Sequence, residues 1–137
     1  MSGPFKTSFG FTKLVVDDEE AMAEYYHQVY GLNKQHRVQT DGSSPIGAIR
    51  EVIMGPGTEM SGESLVMLKF LGKPAPRDRE VILGFITEDL DALEKRAAAN
   101  GGKSLGPIKS MPEHGVRVLF TTDPEGRLCE NVELIKA

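Results

Sequence analysis

The sequence predicts a single α+β domain made of two successive β-α-β-β-β modules, and three observations carry that prediction. Strand-like and helix-like segments recur in the same order in both halves of the 137-residue chain. A polar stretch with two prolines, Gly72-Lys73-Pro74-Ala75-Pro76-Arg77-Asp78, separates the halves. Each helical segment opens on acidic residues and ends at a breaker, Gly31 in the first half and Asn100-Gly101-Gly102 in the second. The modules therefore span 9–71 and 81–135, with 72–80 as connector. A sheet module alone leaves one face uncovered, so the halves are expected to share a core or a cavity.

In the first module, Phe9 to Val16 alternates and ends in β-branched residues, which predicts a strand. Asp17-Asp18 then opens a helix whose apolar face is Ala21, Tyr25, Val29 and Leu32. The acidic residues Asp17 to Glu20 suit the positive end of the helix dipole, which gives them a structural role. Gln35 to Thr40, Gly47 to Met54 and Ser64 to Leu71 read as three further strands, separated by Asp41-Gly42-Ser43-Ser44-Pro45 and Gly55-Pro56-Gly57. In the second module the strand Val81 to Thr87 precedes a helix over Asp89 to Asn100, with Leu90, Leu93 and Ala97 at helical spacing. Lys103 to Ser110, Val116 to Thr122 and Arg127 to Ile135 follow as strands. Gly106-Pro107 makes the first of these an edge or a bent strand, because proline has no N–H to give a ladder.

Composition narrows the function classes. Sixteen basic against twenty acidic residues, spread along the chain, leave no basic stripe for nucleic acid or an anionic membrane. A single cysteine, Cys129, excludes an internal disulfide and a multi-cysteine zinc site and fits a reducing compartment. Met1 to Ser8 has no apolar stretch of signal-peptide length, and no run long enough to span a bilayer occurs. A cytoplasmic protein is expected, with neither nucleic acid nor membrane as partner.

The end of the chain is the most informative stretch. Asp123-Pro124-Glu125-Gly126 forms a tight turn that feeds a strand in which Leu128, Glu130, Val132 and Leu134 share one face. If that face is the interior, a carboxylate interrupts an apolar row, and a buried carboxylate needs a metal, a cation or a ligand beside it. Cys129 points the other way and reads as a small hydrophobe rather than a nucleophile.

This terminal Asp-Pro-Glu-Gly-Arg-Leu-Cys-Glu, together with Leu14-Val15-Val16-Asp17-Asp18, Ala23-Glu24-Tyr25-Tyr26, Val29-Tyr30-Gly31-Leu32, Gly84-Phe85-Ile86 and Asp89-Leu90-Asp91-Ala92, resembles the vicinal oxygen chelate superfamily. That superfamily includes glyoxalases, bleomycin-resistance proteins and extradiol dioxygenases, and the resemblance covers essentially the whole chain. It implies a glyoxalase-like half-barrel whose metal-dependent members carry ligands near the start of each module's first strand and on each module's last strand. The matching positions here are Phe11, Ile82, Met67 or Val66, and Glu130. Only Glu130 has a donor, and such sites take about three or four protein ligands, so no metal and no other cofactor is expected.

The remaining candidates are polar residues within strands. Arg50 alternates with Val52 and Met54, and Glu51 with Ile49 and Ile53, so the pattern leaves open which charge faces the cavity. Lys69 is a candidate partner for Glu130. His27, His36 and His114 have no paired-ligand spacing; His114, in Met111-Pro112-Glu113-His114-Gly115, sits on a candidate lid. Met54, Met60, Met67 and Met111 suit either a core or an adaptable pocket. The expected ligand set is thus Phe11, Arg50, Met67, Lys69, Ile82, His114 and Glu130. The expected function is metal-free binding of a small hydrophobic or aromatic molecule by a homodimer. Alternatives are a metal-independent lyase or isomerase with Glu130 as acid or base and Arg50 or Lys69 stabilising an oxyanion, a divalent-metal lyase or dioxygenase with displaced ligands such as His114 and Glu130, and an interaction module without a ligand.

Overall fold

The computed structural model of the chain describes residues 9–43, 46–76 and 81–135. Met1 to Ser8, Ser44-Pro45 in the first inter-strand turn and residues 77–80 of the connector lie outside the described residues. The chain divides into two compact units. Unit 1 holds the described residues up to His27 and Gly31–Pro76; unit 2 holds Gln28–Tyr30 and the described residues after Pro76.

Unit 1 is built from β1 (Thr12–Val15), most of α1 (Glu19–Tyr30), β2 (Asn33–Thr40), β3 (Ile49–Gly55) and β4 (Leu65–Phe70), with sheet order β1-β4-β3-β2. Asp18 caps α1 by accepting from the Ala21 N–H at 3.0 Å. Gly31 ends the helix at φ 73°, a left-handed conformation that glycine takes without a Cβ penalty. The buried helix residues are Met22, Ala23, Tyr25, Tyr26 and Val29, whereas Ala21, expected on the apolar face, is exposed. Strand β1 is shorter than expected, since Phe9 to Phe11 precede it.

The strand register separates the two faces of this sheet. Leu14, Met67, Val52 and Arg37 form one cross-strand row, and Lys69, Arg50 and Gln39 another row of the same face. That face is turned to α1, because Arg50 Nε donates to Glu19 Oε2 at 2.9 Å and Arg37 forks onto Glu20 through two 2.8 Å bonds. The opposite face carries Lys13, Val66, Leu68, Ile49, Glu51 and Ile53.

Unit 2 repeats the order with β5 (Leu83–Ile86), α2 (Leu90–Ala99), β6 (Lys103–Ser104), β7 (Lys109–Met111), a 3-10 turn over Pro112–His114, β8 (Val116–Thr122) and β9 (Leu128–Leu134). The sheet order is β5-β9-β8, with β6 and β7 both pairing along the remaining edge of β8. The single strand expected over Lys103 to Ser110 is therefore two short pieces. Between them Gly106 adopts φ 87° and Pro107 offers no N–H, so pairing with β8 ends at Leu105, whose N–H donates to the Phe120 carbonyl at 2.8 Å, and resumes at Lys109.

The buried face of β9 is the reverse of the one expected from its apolar row. Cys129 and Asn131 are fully buried, whereas Leu128, Glu130 and Val132 are half-buried and Leu134 is exposed. The inward amide is satisfied on every side. Asn131 Nδ2 donates to the Leu119 carbonyl and to Thr121 Oγ1, both at 2.9 Å, and its Oδ1 accepts from Tyr30 Oη at 2.8 Å. The Tyr30 ring stacks on Phe85 with centroids 3.7 Å apart. On the same face Glu133 accepts from the Leu90 N–H at the start of α2 (2.8 Å), which fixes this as the helix side.

Candidate functional site

The terminal turn positions β9. The buried Asp123 carboxylate accepts from the Glu125 and Arg127 N–H groups at 2.8 and 3.0 Å and lies 3.6 Å from the Arg127 guanidinium. The Gly126 N–H closes the turn on the Asp123 carbonyl at 2.8 Å. A carboxylate satisfied this way is a rigid corner, and it sets the register that places Glu130 opposite Phe120 of β8 and Gly84 of β5.

On the face of unit 2 away from α2, register and alternation bring together Val118, Phe120, Glu130, Val132 and Ile86. At the β8 edge of this face a pocket of about 330 Å³ opens, lined by Leu105, Pro107, Lys109, Met111, Val118 and Phe120. The broken strand borders it: Leu105 stays on β8, its N–H donating to the Phe120 carbonyl at 2.8 Å, Pro107 lies in the interruption, and Lys109 and Met111 re-enter the ladder opposite Val118 and Val116. Among the described residues neither the Lys109 ammonium nor the Glu130 carboxylate has a hydrogen-bond or ion-pair partner.

Unit 1 treats its corresponding face differently. Glu51, 6% exposed, accepts from Lys13 Nζ at 2.6 Å among Ile49, Ile53, Val66 and Leu68. The same ammonium lies 5.6 Å from the centroid of the Phe11 ring. A smaller recess of about 230 Å³ is lined by Glu19, Glu20, Arg37, Val38, Gln39, Arg50 and Glu51, charges that largely neutralise one another. Hydrogen bonding from Arg37 holds the Glu20 carboxyl below its ordinary value, and the Glu20 carboxylate in turn raises Arg37.

The sequence-predicted residues are distributed as follows. Arg50, Met67 and Lys69 lie on the helix side of the first sheet; Arg50 is held by Glu19, Met67 is fully buried, and Lys69 donates to the Asp17 carbonyl at 2.7 Å. Phe11 is exposed just before β1, Ile82 is exposed just before β5, and His114 is exposed on the 3-10 turn. His27 Nδ1 donates to the Leu32 carbonyl at 2.8 Å, and His36 is exposed on β2. Met54 is buried like Met67, Met60 is exposed, and Met111 lines the unit 2 pocket. Sequence pattern does not single out Lys109, Leu105, Pro107, Val118 or Phe120; the Gly106-Pro107 break is the one sequence sign that this edge is special.

No family model and no curated protein matches the sequence. Solved structures do. The chain is similar to a glyoxalase family protein from Bacillus cereus at TM-score 0.81 and 18% identity, covering 99% of each chain. It is similar to a glyoxylase/bleomycin resistance protein/dioxygenase domain from Frankia sp. EAN1pec at TM-score 0.72 and 18% identity, covering 97% of this chain and 95% of that one. The fold is that of the vicinal oxygen chelate superfamily. A Zea mays glyoxalase I mutant, E144Q, aligns at TM-score 0.71 and 14% identity over 93% of this chain, which spans 46% of that protein's length.

Tested against the superfamily's metal positions, the donor set does not fit. Phe11 and Ile82 have no ligand atom, and the register places Val66, not Met67, on the face of Lys13 and Phe11. Among the described residues no three His, Cys, Asp or Glu side chains converge. His114 and Glu130 alone would fall short of the usual ligand number. No helix among the described residues is long and apolar enough to cross a membrane.

Proposed function

We propose that this vicinal oxygen chelate-fold protein binds a small hydrophobic or aromatic molecule in the unit 2 pocket beside β8, without a metal. The observation that carries this reading is the pocket lined by five apolar residues and one lysine, on the sheet face that also bears Glu130. Concave, mostly apolar sites of about 300 Å³ or more with a few placed polar groups are the common form of small-molecule sites. Phe120, 38% exposed, and Leu105, 45% exposed, supply apolar surface that a ligand removes from water. The test is binding of a neutral aromatic probe, 2-naphthamide, by calorimetry to protein treated with chelator. Binding that Phe120→Asp weakens at least tenfold supports the reading; no binding, or binding restored only by added zinc, nickel, manganese or iron, sinks it.

A second reading, a metal-independent lyase or isomerase, is favoured by the Glu130 carboxylate, half-buried and without a partner among the described residues. Removing a proton beside a carbonyl needs a positioned base and a cation for the developing oxyanion. Arg50 and Lys69 are engaged by Glu19 and Asp17, so Lys103 and Lys109 are the strand lysines whose register shares Glu130's face, and Lys109 is the one that lines the pocket. Turnover surviving intact in Glu130→Gln, on any substrate found, would remove this reading. Homodimer formation is supported by Ile86 and Leu134, 75% and 58% exposed on that same face. Sedimentation equilibrium checks it: Ile86→Lys should shift a dimer toward monomer.

A further inference from the structure

We infer that the ligand of the unit 2 pocket is a small aromatic acid, its ring lying on Val118 and Phe120 and its anionic group paired with Lys109. This rests on the binding function proposed above and names the chemical class of the ligand.

The argument starts from the charges. Of the six residues lining the pocket, five offer only apolar surface, so ring contacts set the bulk of the affinity and one group sets the polarity. That group is the Lys109 ammonium. Most other cations of the strands are already engaged: Lys13 by Glu51, Lys34 by Glu24, Arg37 by Glu20, Arg50 by Glu19, and Arg117 by Asp91 and Glu133. Lys103 and Lys109 have no such partner among the described residues, and of the two only Lys109 lines the pocket.

A neutral ring would leave this ammonium unused, and a cationic ligand would be repelled. An anion would form a charge-assisted hydrogen bond beside an apolar wall, where solvent competes less well. Glu130 does not oppose this strongly. Lys109 pairs with Val118, Val118 pairs with Val132, and Glu130 lies two residues along β9. Two strand spacings across and two residues along put the Cα atoms of Lys109 and Glu130 about 12 Å apart. Glu130 also lies outside the pocket lining, and exposed charges are screened over roughly 8 Å at physiological salt.

The edge geometry supports the same assignment. Leu105, bonded to the Phe120 carbonyl, and Lys109, paired with Val118, flank the Gly106-Pro107 interruption, so apolar lining and cation come from either end of one short break.

The experiment is calorimetric titration of the full chain with 2-naphthoate and with 2-naphthamide, its neutral counterpart, for wild type, Lys109→Gln and Phe120→Asp. The expected result is roughly two- to fivefold tighter binding of naphthoate to wild type, as one charge pair with an exposed lysine provides. Lys109→Gln should equalise the two probes, and Phe120→Asp should weaken both. Equal affinities in wild type, or a naphthoate preference that survives Lys109→Gln, overturn the acid assignment while leaving the binding reading intact if Phe120→Asp still weakens both probes. Absence of binding by either probe, or binding indifferent to Phe120→Asp, overturns the binding reading itself and the inference with it.

Discussion

On the first sheet, Glu51 is buried among Ile49, Ile53, Val66 and Leu68 with Lys13 bonded to it at 2.6 Å; on the second, Glu130 stands half-buried beside Phe120 with no partner among the described residues. The edge strands differ in the same sense. Strand β2 runs through eight residues with one bulge near Gln35, while its counterpart in unit 2 is broken into β6 and β7 around Gly106-Pro107. One topology has thus been closed and neutralised in one module and left open and charged in the other. Paired buried charges and an unbroken ladder suit a scaffold; an interrupted edge with unpaired charges suits a site.

The buried interiors give the largest test of that contrast. The helix side of unit 1 is packed with apolar Met67, Val52 and Met54, whereas that of unit 2 depends on Asn131. Replacing Asn131 by Leu removes its hydrogen bonds to Tyr30, Leu119 and Thr121 and should cost about 2–4 kcal/mol. The urea midpoint would report it. A cost below about 1 kcal/mol would mean that the amide network contributes little to unit 2.

The two carboxylates come next. Glu51→Gln removes the charge that Lys13 meets and should cost about 1–2 kcal/mol, the loss being limited because Lys13, 37% exposed, can still reach water. Glu130→Gln breaks no contact among the described residues and should change stability by no more than about 0.5 kcal/mol. Comparable losses for the two would erase the distinction between a structural carboxylate and a functional one.

A pair of glycines separates the edges. Gly106 sits at φ 87° with open space around its Cα, so Gly106→Ala should cost about 1 kcal/mol through backbone strain alone. Gly42, in the turn after β2, has neither a positive φ nor a crowded neighbour, and Gly42→Ala should be neutral within about 0.5 kcal/mol. Thermal unfolding of both variants checks the difference, and equal Tm values would argue against strain at the break.

The sequence was most legible where pattern and turn chemistry agreed. Val116 to Thr122 is a strand with the expected bounds, and the caps at Asp18 and Gly31 follow from residue type. Alternation says which residues share a face but not which face is covered. In β9 the apolar row Leu128, Val132 and Leu134 left open which side is covered by the helix; that side holds the amide at position 131, whose partners, Tyr30, Leu119 and Thr121, are distant in sequence. Arg50 and Glu51 posed the same ambiguity, which Glu19 and Lys13 resolve in space. Gly106-Pro107 was visible as a break, but that a pocket opens there depends on where Phe120 and Lys109 fall in the register of β8, which is long-range information.

The smallest expected effect concerns acid. In unit 1, hydrogen bonding from Arg37 holds the Glu20 carboxyl below its ordinary 4.5, against opposing burial and with help from the charges of Arg37, Lys34 and Arg50. A depressed folded-state value means that this stabilisation is fully present above the unfolded pKa and is lost as pH falls from about 4.5 through the folded value. In unit 2 the matching guanidinium, Arg117, is pushed further up by hydrogen bonds to Asp91 and then Glu133, so it stays charged throughout the acid range. Because the Glu20 side chain is half exposed, solvent screening limits the contribution to a few tenths of a kcal/mol, up to about 1 because the fork is bidentate. Wild type should therefore be slightly more stable than Glu20→Gln at pH 7, and the gap should close as pH falls from 4.5 through the lowered folded-state value. Urea midpoints across that range measure it; a gap that persists below that value would mean that the fork contributes through packing of the arginine stem rather than through charge.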